Sequence, residues 1–326
     1  MVRILLFLIA MMILPLHVTA VIYGNNDQES VDLLSPMEET MAQSVAAMID
    51  IDYLENPEKR ILLHDGIWNI FAIPGGNANG ARKLCPDVKF LDEIAMGTCS
   101  GVLIAEDLIA TASHCVLGES DQEFLKRFRW VFQYHHAETI ERQNIYRAVS
   151  IEVKMLEHFR IFESPELIKI NEERKKMGFA PLAADQMDFN PYRDITIIKL
   201  DRPVVGIPPT SIDFGPKEVG SRITMIGHPM GLSKKITRNG KIVQRIGDHY
   251  LTTTLDSVKG NSGGPVFNAE TGALIGLMVN QGIQHAFAMD RKDRCYRLTQ
   301  YSESEQEAKN LSGLMNISLI QGALKP

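Results

Sequence analysis

The chain has no excess of positive charge and no run of basic residues. Across 326 residues, 34 Lys and Arg face 40 Asp and Glu, a formal charge of -6. A nucleic-acid binder is thereby disfavoured, because such chains carry a basic patch or stripe. Cysteine is scarce: Cys85, Cys99, Cys115 and Cys295 are the whole set, and none stands in a CxxC pair. An even set without zinc spacing argues for disulfides in an oxidising compartment. Around His135, His136 and His158 there is no HExxH or comparable ligand pattern, so they are expected on the surface and no metal or cofactor is called for. No internal repeat stands out. A composition of 45% hydrophobic and 23% charged residues excludes disorder, collagen and coiled coil as overall classes.

Long apolar runs are missing too, except at the start. Arg3 supplies a positive n-region, Ile4 to Leu14 form an apolar stretch, and Val18-Thr19-Ala20 offers small residues for a leader peptidase. The run is well short of the roughly 20 apolar residues that cross a bilayer. Residues 1–20 therefore read as a cleaved signal peptide, which places the mature chain in a secreted or periplasmic location without a membrane partner, at a charge of about -7.

The rest of the chain divides unevenly. Residues 21–66, polar and acidic with a helical patch around Glu38 to Ile49, read as a pro-segment or N-terminal arm. From Ile67 to about Val153, and again from Arg193 to Ala288, short runs of Val, Ile and Thr alternate with Gly and Pro turns, the pattern of all-β barrels. This predicts a first barrel over 67–200 and a second over 201–300. An insertion at about 155–190 interrupts the first, with an exposed helix expected from Pro165 to Met177. Residues 301–326 are expected to close the chain, since Ala308, Leu311, Leu314, Met315 and Leu319 follow the three-to-four spacing of an amphipathic helix from Ser302 to Leu324. Cys99 and Cys115 flank the apolar runs Gly101 to Ala105 and Leu108 to Ala112, a hairpin whose ends meet. From the sequence alone all three pairings of the four cysteines stay open.

Chemistry concentrates in three places. Gly260-Asn261-Ser262-Gly263-Gly264-Pro265 sets one hydroxyl among glycines, where the amides of Gly260 and Ser262 can point at one oxygen as an oxyanion hole requires. Serine is a poor nucleophile without a neighbouring base. Thr111-Ala112-Ser113-His114-Cys115 supplies a histidine directly after an apolar strand. A third group must hold that imidazole's tautomer, and Asp194 opens the apolar run Ile195-Thr196-Ile197-Ile198. Asp201 competes for the role, but Asp201-Arg202-Pro203 begins a turn, which suits a solvated carboxylate better.

The strings TASHC, RDITIIKL and GNSGGP, in the order His, Asp, Ser, resemble the signatures of trypsin/chymotrypsin-like serine proteases, among them secreted bacterial trypsin-like and glutamyl-endopeptidase-like members. The resemblance covers about residues 90–290. It implies two six-stranded antiparallel β-barrels in an all-β fold, with His114 as general base, Asp194 as its orienting partner, Ser262 as nucleophile and the Gly260 and Ser262 amides as oxyanion hole. It implies protein or peptide substrates and a monomer. It also implies a Cys99–Cys115 bridge beside the histidine, which leaves Cys85 for Cys295. Two other readings compete. GNSGG also fits the nucleophile elbow of α/β-hydrolases, but that fold needs an acid and then a histidine after the serine, whereas His285 precedes Asp290 and Asp293. The second is a catalytically inactive protease-like module that binds proteins.

Substrate preference is read from the resemblance as well. Asp256, six residues before Ser262, stands where trypsin-like enzymes keep the carboxylate at the base of the S1 pocket, which implies a basic P1 side chain. Ser257, Gln281 and His285 are expected to line the same pocket. A glutamyl preference would want a histidine on the strand Leu274 to Asn280, where Met278 stands instead. Val258 occupies the position of the cysteine that braces this pocket in animal trypsins. Asn261 replaces the aspartate that pairs with a liberated N-terminus in those enzymes, so residues 21 to about 60 are either removed without a buried ion pair or retained as an arm. Asn310-Leu311-Ser312 and Asn316-Ile317-Ser318 match the glycosylation sequon, a pattern short enough to arise by chance.

Overall fold

Runs of β-branched residues close on themselves twice along the chain. The computed structural model describes residues 22–23, 26–64, 84–116, 120–157, 193–280, 287–301 and 312–324. A short N-terminal strand, β1 (Gln28–Ser30), is followed by helix α1 (Pro36–Gln43). Ser35 caps α1 through a reciprocal box with Glu38, and Pro36 opens the first turn, where its missing N–H costs nothing. The first barrel comprises β2 (Val45–Asp50), β3 (Gly97–Ala105), β4 (Leu108–Thr111), β5 (Phe128–Phe132), β6 (Ile145–Glu157) and β7 (Arg193–Leu200). It closes in the order β7-β4-β3-β2-β5-β6, and β6 pairs back to β7. Gly101 is needed where β3 passes the buried Trp130, because a Cβ there would stand 2.6 Å from the indole ring. Another short helix, α2 (Asp121–Arg127), leads into β5.

The second barrel comprises β8 (Arg222–Gly227), β9 (Lys235–Ile246), β10 (Tyr250–Thr253), β11 (Pro265–Asn268), β12 (Leu274–Asn280) and β13 (Ser312–Asn316). Its order is β8-β11-β12-β13-β10-β9, closed by β8 on β9, with β1 added to the outer edge of β9. The interior of this barrel holds Ile223, Met225, Leu251, Val266, Met278 and Leu314. One apolar cluster then runs from Val45, Val102 and Ile195 of the first barrel into Ile226, Phe267 and Leu277 of the second. The barrels are thus joined by a shared core, the main favourable term for holding two such units together.

The structure is the expected all-β pair of six-stranded barrels, and it corrects several boundaries. Residues 21–66 are not wholly an arm, because Val45–Asp50 is a strand of the first barrel, paired with β3 and β5. The helical patch expected over Glu38 to Ile49 is helix only to Gln43. Val45 to Ile49 are all buried, and a short apolar run covered on both faces has no period that separates strand from helix. The closing helix expected over Ser302 to Leu324 is replaced, within 312–324, by strand β13 and a single 3-10 turn at Ile317–Ile320. Partners on both sides, β10 and β12, override the local spacing there. Strand β6 runs on to Glu157, so the insertion starts later than 155. The expected helix from Pro165 to Met177 and the expected first-barrel start at Ile67 lie outside the described residues.

Two disulfides staple the frame. Cys99–Cys115 ties the base of β3 to the turn after β4, and Cys85–Cys295 spans 210 residues to join the segment before the first barrel's hairpin to a strand after the second barrel's β12. Among the described residues no cysteine is free.

Candidate active site

Strand β4 ends at Thr111, and the chain turns through a short 3-10 segment, Ser113–Val116, that carries His114. Ser113 fixes this turn. Its hydroxyl donates to the Met155 carbonyl at 3.0 Å and shares a 2.7 Å bond with the Thr196 hydroxyl. The disulfide on Cys115 holds the other side. The His114 ring is left one-third exposed, which is what a group that meets a substrate requires.

Asp194 enters from β7 with no exposed surface. Its Oδ1 accepts the His114 backbone N–H at 2.9 Å, and its Oδ2 lies 2.6 Å from His114 Nδ1. A buried carboxylate must be paired or it neutralises; here the backbone and the ring of one residue both pair it. With Nδ1–H donating to Asp194, the ring nitrogen Nε2 is the one left with a lone pair. Asp201 is engaged elsewhere, accepting the Arg147 backbone N–H and the Arg202 guanidinium.

The turn that carries Ser262 is pressed against the same strand pair. The Ser100 N–H donates to the Ser262 carbonyl at 2.8 Å, and that carbonyl lies 3.7 Å from the Cys115 sulfur. Gly263 and Gly260 both need positive φ, 76° and 96°. A Cβ on Gly263 would stand 2.1 Å from the Thr111 hydroxyl, and one on Gly260 would stand 2.2 Å from the His228 carbonyl. No side chain fits at either place, so the glycines of GNSGGP are demanded by close packing as well as by backbone conformation. Among the described residues, neither the Gly260 nor the Ser262 amide donates to a carbonyl.

Ser100 is a residue that sequence reasoning missed. Its hydroxyl donates to the Gly260 carbonyl at 2.7 Å and accepts the His228 N–H at 2.9 Å. It thereby orients the Gly260 peptide from the first barrel. The signal was only its place after Cys99, which no local pattern distinguishes. Asn261 is buried, and among the described residues neither polar atom of its side chain has a partner. Next to it, His228 is fully buried against Tyr134, with ring centroids 5.6 Å apart, and burial pushes its pKa well below the usual histidine range. It is therefore neutral.

Of the residues expected to line an S1 pocket, Asp256 and Ser257 are buried, at 3% and 0% exposure. Asp256 Oδ2 accepts the backbone N–H of Asp27 at 3.1 Å, a contact with the N-terminal segment that the sequence does not suggest. Gln281 and His285 lie outside the described residues. Met278 points into the interior of the second barrel, and Val258 packs with Met230 and Leu232.

The family model of the trypsin-like peptidase domain matches residues 99–277, more than half of the 326. No match was found among curated proteins. Solved structures of similar shape include the active form of the Rv3671c protease of M. tuberculosis, at 13% identity over 94% of this chain and 88% of that one, with a TM-score of 0.43. A serine endoprotease from Yersinia pestis is 12% identical over 89% of this chain and 66% of its own, TM-score 0.44. A Glu endopeptidase is 13% identical over 90% and 92%, TM-score 0.43. The matched span opens at Cys99 on β3, takes in His114, Asp194 and Ser262, and closes on β12. On that match the chain belongs to the trypsin-like peptidase domain family and is a serine endopeptidase.

Proposed function

We propose that this chain is exported behind the leader 1–20 and hydrolyses peptide bonds through an acyl-enzyme on Ser262, with a preference for basic P1 side chains. The observation that carries the mechanism is the buried Asp194 held against His114 Nδ1 at 2.6 Å. It leaves Nε2 as the base. Ser262 Oγ attacks the scissile carbonyl as Nε2 takes its proton, and the Gly260 and Ser262 amides hold the oxygen that becomes negative. The same nitrogen then gives the proton to the leaving amine as the C–N bond breaks. Water, deprotonated in turn by His114, hydrolyses the ester and frees Ser262. Asp194 keeps its charge throughout and stabilises the imidazolium that forms in both steps.

Asp256 supports the P1 preference. It stands six residues before the nucleophile, is buried, and belongs to the same stretch of chain as Gly260. A carboxylate there is matched by Lys or Arg and left unmatched by an apolar side chain. The two-barrel division and the retention of residues after Ala20 belong to the same reading, since removal of 21–66 would take away a strand of the first barrel.

A fluorophosphonate probe tests the mechanism. Only a serine activated by a correctly placed base reacts rapidly, so the wild-type protein should label and Ser262→Ala should not. Absence of labelling in correctly folded wild-type protein would turn the reading to that of a binding module.

A further inference from the structure

The N-terminal segment is fastened beside Asp256 with more contacts than a passing arm needs. β1 pairs with β9 through Gln28, Glu29 and Ser30. Lys89 Nζ donates to the carbonyls on either side of Asp27, Asn26 O at 2.7 Å and Gln28 O at 3.1 Å. Arg238 of β9 forms ion pairs with both Glu29 and Glu38. Gln28 is 1% exposed. These clamps hold Asp27 in place, so that its N–H donates to Asp256 Oδ2 at 3.1 Å. The Oδ1 of Asp27 is buried and has no partner among the described residues. An acceptor set there, beside a second carboxyl at the position of the proposed pocket floor, awaits a donor.

We propose that Asp27 is a specificity-determining residue of this peptidase: carried on the N-terminal strap, it adds a second carboxyl to Asp256, and the two together receive the ammonium or guanidinium of a basic P1 side chain. The inference rests on Asp256 as the floor of the S1 pocket. It makes the strap a wall of the working enzyme, retained after the leader is cut, and not a pro-segment to be shed. It also gives the pocket a pH response. The charged groups that face Asp27 are Asp256, Lys89 and Glu29, and burial raises the Asp27 carboxyl above its usual range. As pH rises through that raised value the pocket gains negative charge, so KM for a basic P1 substrate should fall.

The test compares wild type, Asp27→Asn and Asp256→Ser on matched peptides with Lys, Arg, Gln or Leu at P1. kcat and KM are read separately from acid to alkaline pH, with fluorophosphonate labelling to confirm an intact triad. Asp27→Asn keeps the backbone N–H to Asp256 and the side-chain shape. It is expected to raise KM for Lys and Arg about tenfold, the scale of one lost charged contact. It should also remove the fall of KM with pH and narrow the preference for Lys and Arg over Gln and Leu. N-terminal sequencing of the secreted enzyme should give a start upstream of Asn26. If Asp256→Ser abolishes the basic preference and Asp27→Asn leaves KM and its pH dependence as in wild type, the inference falls and the reading beneath it stands. If Asp256→Ser leaves the preference intact, the floor assignment itself falls. Should Asp27→Asn not fold, a mature start beyond Asp27 in enzyme that still prefers Lys and Arg overturns the inference independently.

Discussion

Lys234 is the most exacting test of the packing between the two barrels. It is 1% exposed, and its ammonium group donates to the Ala42 carbonyl at the end of α1, 2.5 Å away. Burial alone lowers its pKa from 10.5 to about 7. The folded state therefore binds its proton more weakly than the unfolded chain does. Between these two values the unfolded chain carries more protons, so stability must rise with pH, and below about 7 both states are protonated and the effect levels off. Integrating the linkage from pH 6 to pH 10 gives a gain of about 4 kcal/mol from this one group. Substitution Lys234→Met removes the titration while keeping an unbranched chain of similar length. Lys235 and Lys259 are also lowered, chiefly by burial, and they contribute equally to both proteins. The quantity to read is thus the difference between wild type and variant. Urea unfolding at a series of pH values should show wild type gaining on the variant by about 4 kcal/mol across the range. A difference that stays constant with pH would refute the claim that this amine is buried in the folded protein.

Three further outcomes follow from the site and its frame. Asp194→Asn keeps the shape but turns an amide N–H toward Nδ1 and forces the other tautomer, so kcat should drop about 10⁴-fold, the size known for this constellation, with KM little changed in steady-state assays. Ser100→Ala frees the Gly260 carbonyl, which is anchored by the 2.7 Å bond from the Ser100 hydroxyl. A loss of about tenfold in kcat is expected, smaller than removal of an oxyanion donor itself, and unaltered kcat would show that the loop holds its shape alone. Replacing Cys85 and Cys295 together with serine opens a loop of 210 residues and should cost about 2–5 kcal/mol in denaturant unfolding, with fluorophosphonate labelling retained under native conditions.

The parts of this enzyme that are legible in its sequence are those whose chemistry is local. His114, Asp194 and Ser262 each sit in a short string whose neighbours serve them visibly, as a strand that delivers the group, a cysteine that tethers it or glycines that let backbone approach. The barrels are legible from turn spacing for the same reason. Non-local pairing is what hides the rest. Val45–Asp50 becomes a strand because β3 and β5 lie on either side of it, and β13 because β10 and β12 do. The same residues in isolation keep a spacing compatible with helix. Ser100 reaches Gly260 across 160 positions, and Asp27 reaches Asp256 across 229. Contacts of that span leave no trace in a local pattern, so both emerge only from the fold.

Whether Ser262 cuts peptides after basic residues is measured most directly by incubating a peptide library with the purified protein beside Ser262→Ala and identifying the products by mass spectrometry. Wild type should cut after Lys and Arg, and the variant should cut nowhere. Cleavage that persists in Ser262→Ala, or a folded wild-type protein that cuts nothing, would contradict the triad mechanism.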